Sequence, residues 1–111
     1  MADKDIVQSY ITELKRGNLV LAVLCSLSKP HYGYALLQTL QGKGIEIEAN
    51  TLYPLLRRLE KQELLKSDWD TTESRPRKYY SISSIGIRVR SELLEEWKEM
   101  QKNIAEIYLG E

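Results

Sequence analysis

The stretch 49-ANTLYPLLRRLEKQELL-65 decides how the rest of the chain is read. At about 100° per residue, Leu52, Leu55, Leu56 and Leu59 cover roughly one third of a helical circumference, the width of a stripe that packs on a core. Opposite them lie Asn50, Pro54, Arg57 and Lys61, spaced four, three and four apart, with Tyr53 and Arg58 on the flanks. The polar side therefore offers an amide, two guanidinium groups, an ammonium and a phenol. Arg forks onto guanine O6/N7 or onto phosphate, Asn pairs with adenine N6/N7, and Lys and Tyr suit phosphate. Periodicity alone leaves a second reading open, a solvated face whose arginines pair with Glu60 or Glu63. Pro54 raises its own question, because an interior proline lacks an amide hydrogen and crowds the preceding turn. Either the helix begins at Asn50 or Thr51, with Pro54 in its first turn, or it begins earlier and bends.

Upstream, Ile6, Val7, Tyr10, Ile11 and Leu14 share one face of a helix over 5–15, and Gly17 is either its end or an interior glycine. The run 18–28, NLVLAVLCSLS, reads as a buried helix closed by Pro30, with Cys25 as a buried, inert thiol. A short helix over 32–44 turns Leu36, Leu37 and Leu40 inward, has His31 at its start, and stops at Gly42/Gly44. The alternation IEIE at 45–48 fits a short strand. Downstream, KSDWD and RKYYSIS favour β structure and flank TTESRP, which predicts a β-hairpin with a basic tip at Arg75, Arg77 and Lys78. From an N-cap at Ser83, the helical period returns in Ile85, Val89, Leu93, Trp97, Met100, Ile104 and Ile107, an apolar stripe too long for a small core alone.

Helices, then a hairpin, then one long helix is the layout of a winged helix-turn-helix, mainly α with a small β-hairpin. In that layout the helix before the hairpin enters the major groove. The 111 residues suffice for one modest core, divided into a winged helix-turn-helix over 1–82 and a dimerisation helix over 83–111 within one compact unit. The charge totals cancel, yet 29–82 carries nine Lys/Arg against seven Asp/Glu, and 83–111 carries four against six. A duplex footprint depends on a local basic face, which a neutral total permits. No apolar run reaches membrane-span length, no signal-peptide pattern opens the chain, and a single cysteine permits no intrachain disulfide. The cytoplasm is the expected location.

The motifs GNLVLAVLCSLSKPHYGYALLQTL, TLYPLLRRLEKQELL, RKYYSISSIG and LLEEW, in this order, resemble the PadR family of bacterial transcriptional regulators, over about residues 15–104. The resemblance is to the short branch with a single helix after the wing, some of whose members are drug-responsive repressors of efflux-pump genes. It implies a homodimeric repressor of double-stranded operator DNA, with the N-terminal and last helices building the dimer. Thr51, Tyr53, Arg57 and Arg58 match the family's recognition-helix motif, Arg77 and Lys78 match the basic start of its second wing strand, and Tyr34 matches a tyrosine that contacts phosphate or packs beneath the recognition helix. The chain departs from the family in having EAN before Thr51 instead of a Ser-Pro-Gly cap, in a wing tip without glycine, and in Ser83 to Gly86 where Thr-x-x-Gly is frequent.

The resemblance also implies that Trp97 lines an apolar pore at the dimer centre, with Ile11, Leu14, Leu94 and Gln101 as neighbours, where a small flat aromatic or cationic ligand stacks. Packing of Trp97 in the dimer core is the competing reading. One histidine, one cysteine and scattered carboxylates give no catalytic constellation, no metal-ligand spacing and no phosphate loop, so neither enzyme nor cofactor is expected. The rival function is a winged helix used for protein–protein assembly without an effector.

Overall fold

In the computed structural model, which describes residues 2–110, the leucine stripe of 49–65 organises the core. Helix α4 (Ala49–Lys61) turns Leu52, Leu55, Leu56 and Leu59 inward, none more than 8% exposed. They meet Val23 and Leu24 of α2 (Leu19–Ser26), Leu27 just beyond it, and Leu36, Leu37 and Leu40 of α3 (Gly33–Gly42) in one cluster. Burying a side chain of this size contributes about 1.5–3 kcal/mol. These leucines are therefore what clamps three short helices that would not persist alone. Helix α1 (Ala2–Arg16) precedes them, and Gly17 stands outside both α1 and α2, so it ends a helix.

Two helix ends fix the loops around α4. Helix α3 stops at Gly44 (φ 85°), where Gly44 N–H donates to Gln41 O and Ile45 N–H to Leu40 O. That is the glycine stop expected from the sequence, in a Schellman arrangement. Helix α4 ends the same way, with Glu63 N–H on Glu60 O and Leu64 N–H on Leu59 O, but Glu63 holds the left-handed position at φ 64°. A side chain there costs energy that glycine avoids. Glu63→Gly is therefore expected to stabilise the fold by about 0.5–1 kcal/mol, read as a higher urea midpoint at unchanged slope.

The wing is a three-stranded antiparallel sheet of order β1-β3-β2, not the two-stranded hairpin expected. Strands β2 (Leu65–Asp70) and β3 (Arg77–Ile82) form the hairpin, and β1 (His31–Tyr32) adds to β3 with His31 opposite Tyr80 and Tyr32 opposite Tyr79. His31 is thus a strand residue, and Tyr32 caps α3 instead of opening it. Residues 45–48 are not a strand: Ile47 is buried and Ile45 half-buried, but no strand among the described residues pairs with them. Cys25 is exposed on the outer side of α2, not buried. Helix α5 (Ser84–Leu109) starts at the expected cap, Ser83 Oγ accepting from Gly86 N–H at 2.9 Å. Ser83 N–H also donates to Leu64 O at 3.0 Å, and Ser83 Oγ to Glu63 O at 2.6 Å, binding the base of the wing to the start of α5.

Candidate nucleic-acid interface

Helix α4 begins at Ala49, earlier than Asn50, so Pro54 is its sixth residue. Lacking an amide hydrogen, Pro54 leaves the Asn50 carbonyl without its intrahelical donor. Both residues are exposed, so that carbonyl faces solvent and not the core. Arg57, Arg58 and Lys61 are also exposed, and among the described residues none enters an ion pair or a side-chain hydrogen bond. Asn50 and Thr51 are exposed nearby, and Tyr53 is half-buried against Gly33, where its Cε1 lies 2.6 Å from the place a Cβ would take. Tyr53, not Tyr34, therefore makes the close contact between α3 and α4; Tyr34 points outward and is 64% exposed.

The reading in which Glu60 neutralises the arginines fails for a geometric reason. Glu60 lies on the flank of α4 that faces the hairpin, where it accepts from Ser67 Oγ and, at 3.3 Å, from Lys78 Nζ. These bonds, Ser67's first, hold its carboxyl below the usual carboxylate range. The acid is thereby committed to the wing, and a groove of about 550 Å³ remains between Arg57, Arg58, Glu60, Lys61 and Lys78. Charge in that groove is four cations to one carboxylate.

Register splits the expected basic cluster of the wing. Leu65 faces Ile82, Ser67 faces Tyr80 and Trp69 faces Lys78, so these six side chains share the sheet face turned to α4. Arg77 falls on the other face, with Tyr32, Tyr79 and Asp70. Its guanidinium sits 4.0 Å over the Tyr32 ring and 4.0 Å from Glu73 Oε1. Tyr32 Oη donates to Asp70, and Tyr79 meets the Tyr32 ring edge-on. The Tyr32 bond and two from Thr72 bring the Asp70 carboxyl down to about 2, while the same carboxylate pushes the Tyr32 phenol up. Arg77 is thus a brace between β1 and the hairpin, and Lys78 a tether to α4; only Arg75, in the exposed loop 71–76, has no partner among the described residues. Adjacent strand residues must point to opposite faces, so the separation of Arg77 from Lys78 is a signal that the sequence carries. The pairing of Glu60 with Lys78 and of Tyr32 with Asp70 has no such local signal.

Within one chain, the residues assigned to the ligand pore do not gather. Leu94 and Trp97 are half-buried on α5, Gln101 is exposed, Ile11 is half-buried and Leu14 is 73% exposed on α1, and the two helices do not pack extensively together. Along α5, Val89 packs on the core, whereas Ile85, Leu93, Met100, Ile104 and Ile107 are exposed. No helix among the described residues is long and apolar enough to cross a membrane.

Comparison with known proteins agrees with this geometry. The chain is 50% identical to a PadR family transcriptional regulator from Eggerthella lenta, over 97% of this chain and 96% of that one, and superposes on its crystal structure with a TM-score of 0.93. A PadR-like transcription factor from Bacteroides fragilis is 32% identical, with 89% and 98% covered and a TM-score of 0.74. An uncharacterized protein of Lysinibacillus sphaericus is 34% identical over 98% of this chain and 96% of its own length. Residues 20–92, which run from α2 through the wing into α5, match the profile of the Transcriptional regulator PadR-like family. The chain belongs to the PadR-like family of transcriptional regulators, winged-helix DNA-binding proteins and not enzymes.

Proposed function

We propose that this chain is a homodimeric repressor that reads operator duplex with α4, and that a small flat aromatic ligand at the dimer core relieves its hold. The observation that carries the reading is the outer face of α4, where three cations and an amide have no ion-pair or side-chain hydrogen-bond partner among the described residues. In this reading Asn50, Thr51, Arg57 and Lys61 contact base edges and phosphate, and Tyr53, Arg58 and Arg75 the flanking backbone. Tyr34 stands exposed one helix away, within the footprint that such a duplex covers.

Dimerisation is supported by what the single chain leaves bare. Ile6, Val7, Tyr10 and Leu14 on α1 and Met100, Ile104, Ile107 and Leu109 on α5 are all more than half exposed. Patches of that size on a monomer mark an interface. The radius of gyration, 16.8 Å, exceeds the roughly 13 Å of a compact domain this long, and α1 and the end of α5 are almost wholly exposed. In a dimer, α1 of one copy laid on the partner's α5 brings Ile11, Leu14, Leu94, Trp97 and Gln101 together. A ligand between two indoles there favours a separation of the two α4 helices that fits the operator less well.

Two experiments test this. Selection from a random-sequence duplex library should yield a two-half-site sequence bound by the purified chain; recovery of no sequence over background overturns the DNA-reading step. A planar aromatic cation should quench tryptophan fluorescence and weaken binding of the selected duplex, with Trp97→Ala abolishing the quench. Quenching that persists in Trp97→Ala removes the pore, and ligand binding that leaves duplex affinity unchanged removes the relief step.

A further inference from the structure

Among the described residues, the Trp69 indole makes no hydrogen bond and pairs with no ring or cation. It sits in the middle of a charged wing, 58% exposed, where a tryptophan in water gives up most of the burial its side chain could gain. Its backbone is fixed by the ladder, and its position in the register gives the direction of the indole. Trp69 lies opposite Lys78, on the sheet face that carries Ser67 and Lys78, the two residues bonded to Glu60 of α4. Moving out from the core along this face, Leu65 and Ile82 are buried, Ser67 and Tyr80 meet the flank of α4, and Trp69 and Lys78 come next, beyond the leucines. Lys78 lines the groove between α4 and the wing together with Arg57, Arg58 and Lys61. The indole therefore stands beside Lys78, just outside a groove lined by four cations and Glu60.

Building on the duplex reading of α4, we infer that Trp69 is a DNA-contact residue, whose indole packs on the deoxyribose edge of the strand that passes between α4 and the wing. A groove of Arg57, Arg58, Lys61 and Lys78 draws a polyanion, and the phosphates of a duplex strand are separated by apolar sugar faces. An aromatic ring beside the cations meets such a face without requiring a base sequence, and it loses its own exposed surface in doing so. The Glu60 bonds to Ser67 and Lys78 hold this wall at a set distance from α4, so the sugar contact is in register with the phosphate contacts. Arg77, the family-pattern candidate for wing contact, is engaged on the opposite face, and Lys78 is bonded to Glu60, which leaves Trp69 as the uncommitted side chain beside it on the α4 side.

The contact is apolar, so its signature differs from that of a cation. With the library-selected duplex, Trp69→Ala is expected to weaken binding roughly tenfold while leaving the slope of log affinity against log salt unchanged; Arg57→Ala should make that slope shallower by about two, one for each copy in the dimer. Trp69→Tyr should recover most of the loss. In a Trp97→Phe chain, where Trp69 is the sole indole, duplex should quench or blue-shift the emission. Trp69→Ala affinity within twofold of wild type, or emission of the Trp97→Phe chain unmoved by saturating duplex, overturns the inference while the salt dependence of the wild type leaves the α4 reading standing. A wild-type chain that binds no duplex overturns both.

Discussion

Replacing Arg57 and Arg58 together by alanine is expected to lower affinity for a selected duplex on the order of a thousandfold or more at moderate salt, with no change in folding stability. The two halves of this expectation have separate origins. Both guanidinium groups are exposed and without partners among the described residues, so the folded chain loses no contact when they go. Surface substitutions of that kind stay within about 0.5 kcal/mol. In the complex, each arginine removed takes with it a phosphate neutralisation or a base-edge fork, worth about 1–3 kcal/mol. Glu60 does not soften the effect, because Ser67 and Lys78 already occupy its oxygens. A loss below threefold in a variant with a wild-type urea curve would place the duplex elsewhere on the molecule.

The largest stability effect is expected at Gly86. A Cβ there collides with the Leu64 carbonyl oxygen and comes within 2.7 Å of Ile82 Cγ1. The carbonyl cannot retreat cheaply, since it accepts from Ser83 N–H and lies where β2, β3 and α5 converge. Gly86→Ala should therefore cost about 3 kcal/mol, the upper range for overpacking, a large share of the 5–15 kcal/mol that holds a domain of this kind. Gly33 is the instructive contrast: its added Cβ meets only the ring of Tyr53, a side chain that can swing away. Equilibrium urea unfolding of the two alanine variants separates a backbone obstacle from a side-chain one. If Gly86→Ala unfolds within 0.5 kcal/mol of wild type, the close crossing of α5 over Leu64 is wrong.

The sequence made α4, α5 and the hairpin legible because each announces itself locally. Four leucines at helical spacing can bury on one side only, and Ser83 followed three residues later by Gly86 N–H is a cap that needs no tertiary information. What was hidden depends on partners far along the chain. Strand β1 is two residues long and exists because His31 and Tyr32 find Tyr80 and Tyr79, nearly half the chain away. The alternating IEIE misleads because Ile47 is buried by the helices around a loop, which gives a strand-like pattern without a strand. Cys25 misleads in the opposite way: an almost continuous apolar run conceals which side of α2 faces out, and Cys25 is on it. At the interface, periodicity identified the cations of α4 but not the fate of the acids between them. The flank position of Glu60 becomes meaningful only once the wing folds back to meet it.

In the proposed function the polar face of α4 reads duplex electrostatically, and salt dependence measures that most directly. Affinity of the wild-type chain for its selected duplex should fall steeply and linearly in log–log form as salt rises, with a slope that reports several phosphate contacts per dimer and becomes shallower when Arg57 is replaced. Affinity that barely responds to salt, or a slope indifferent to Arg57 and Arg58, would contradict it.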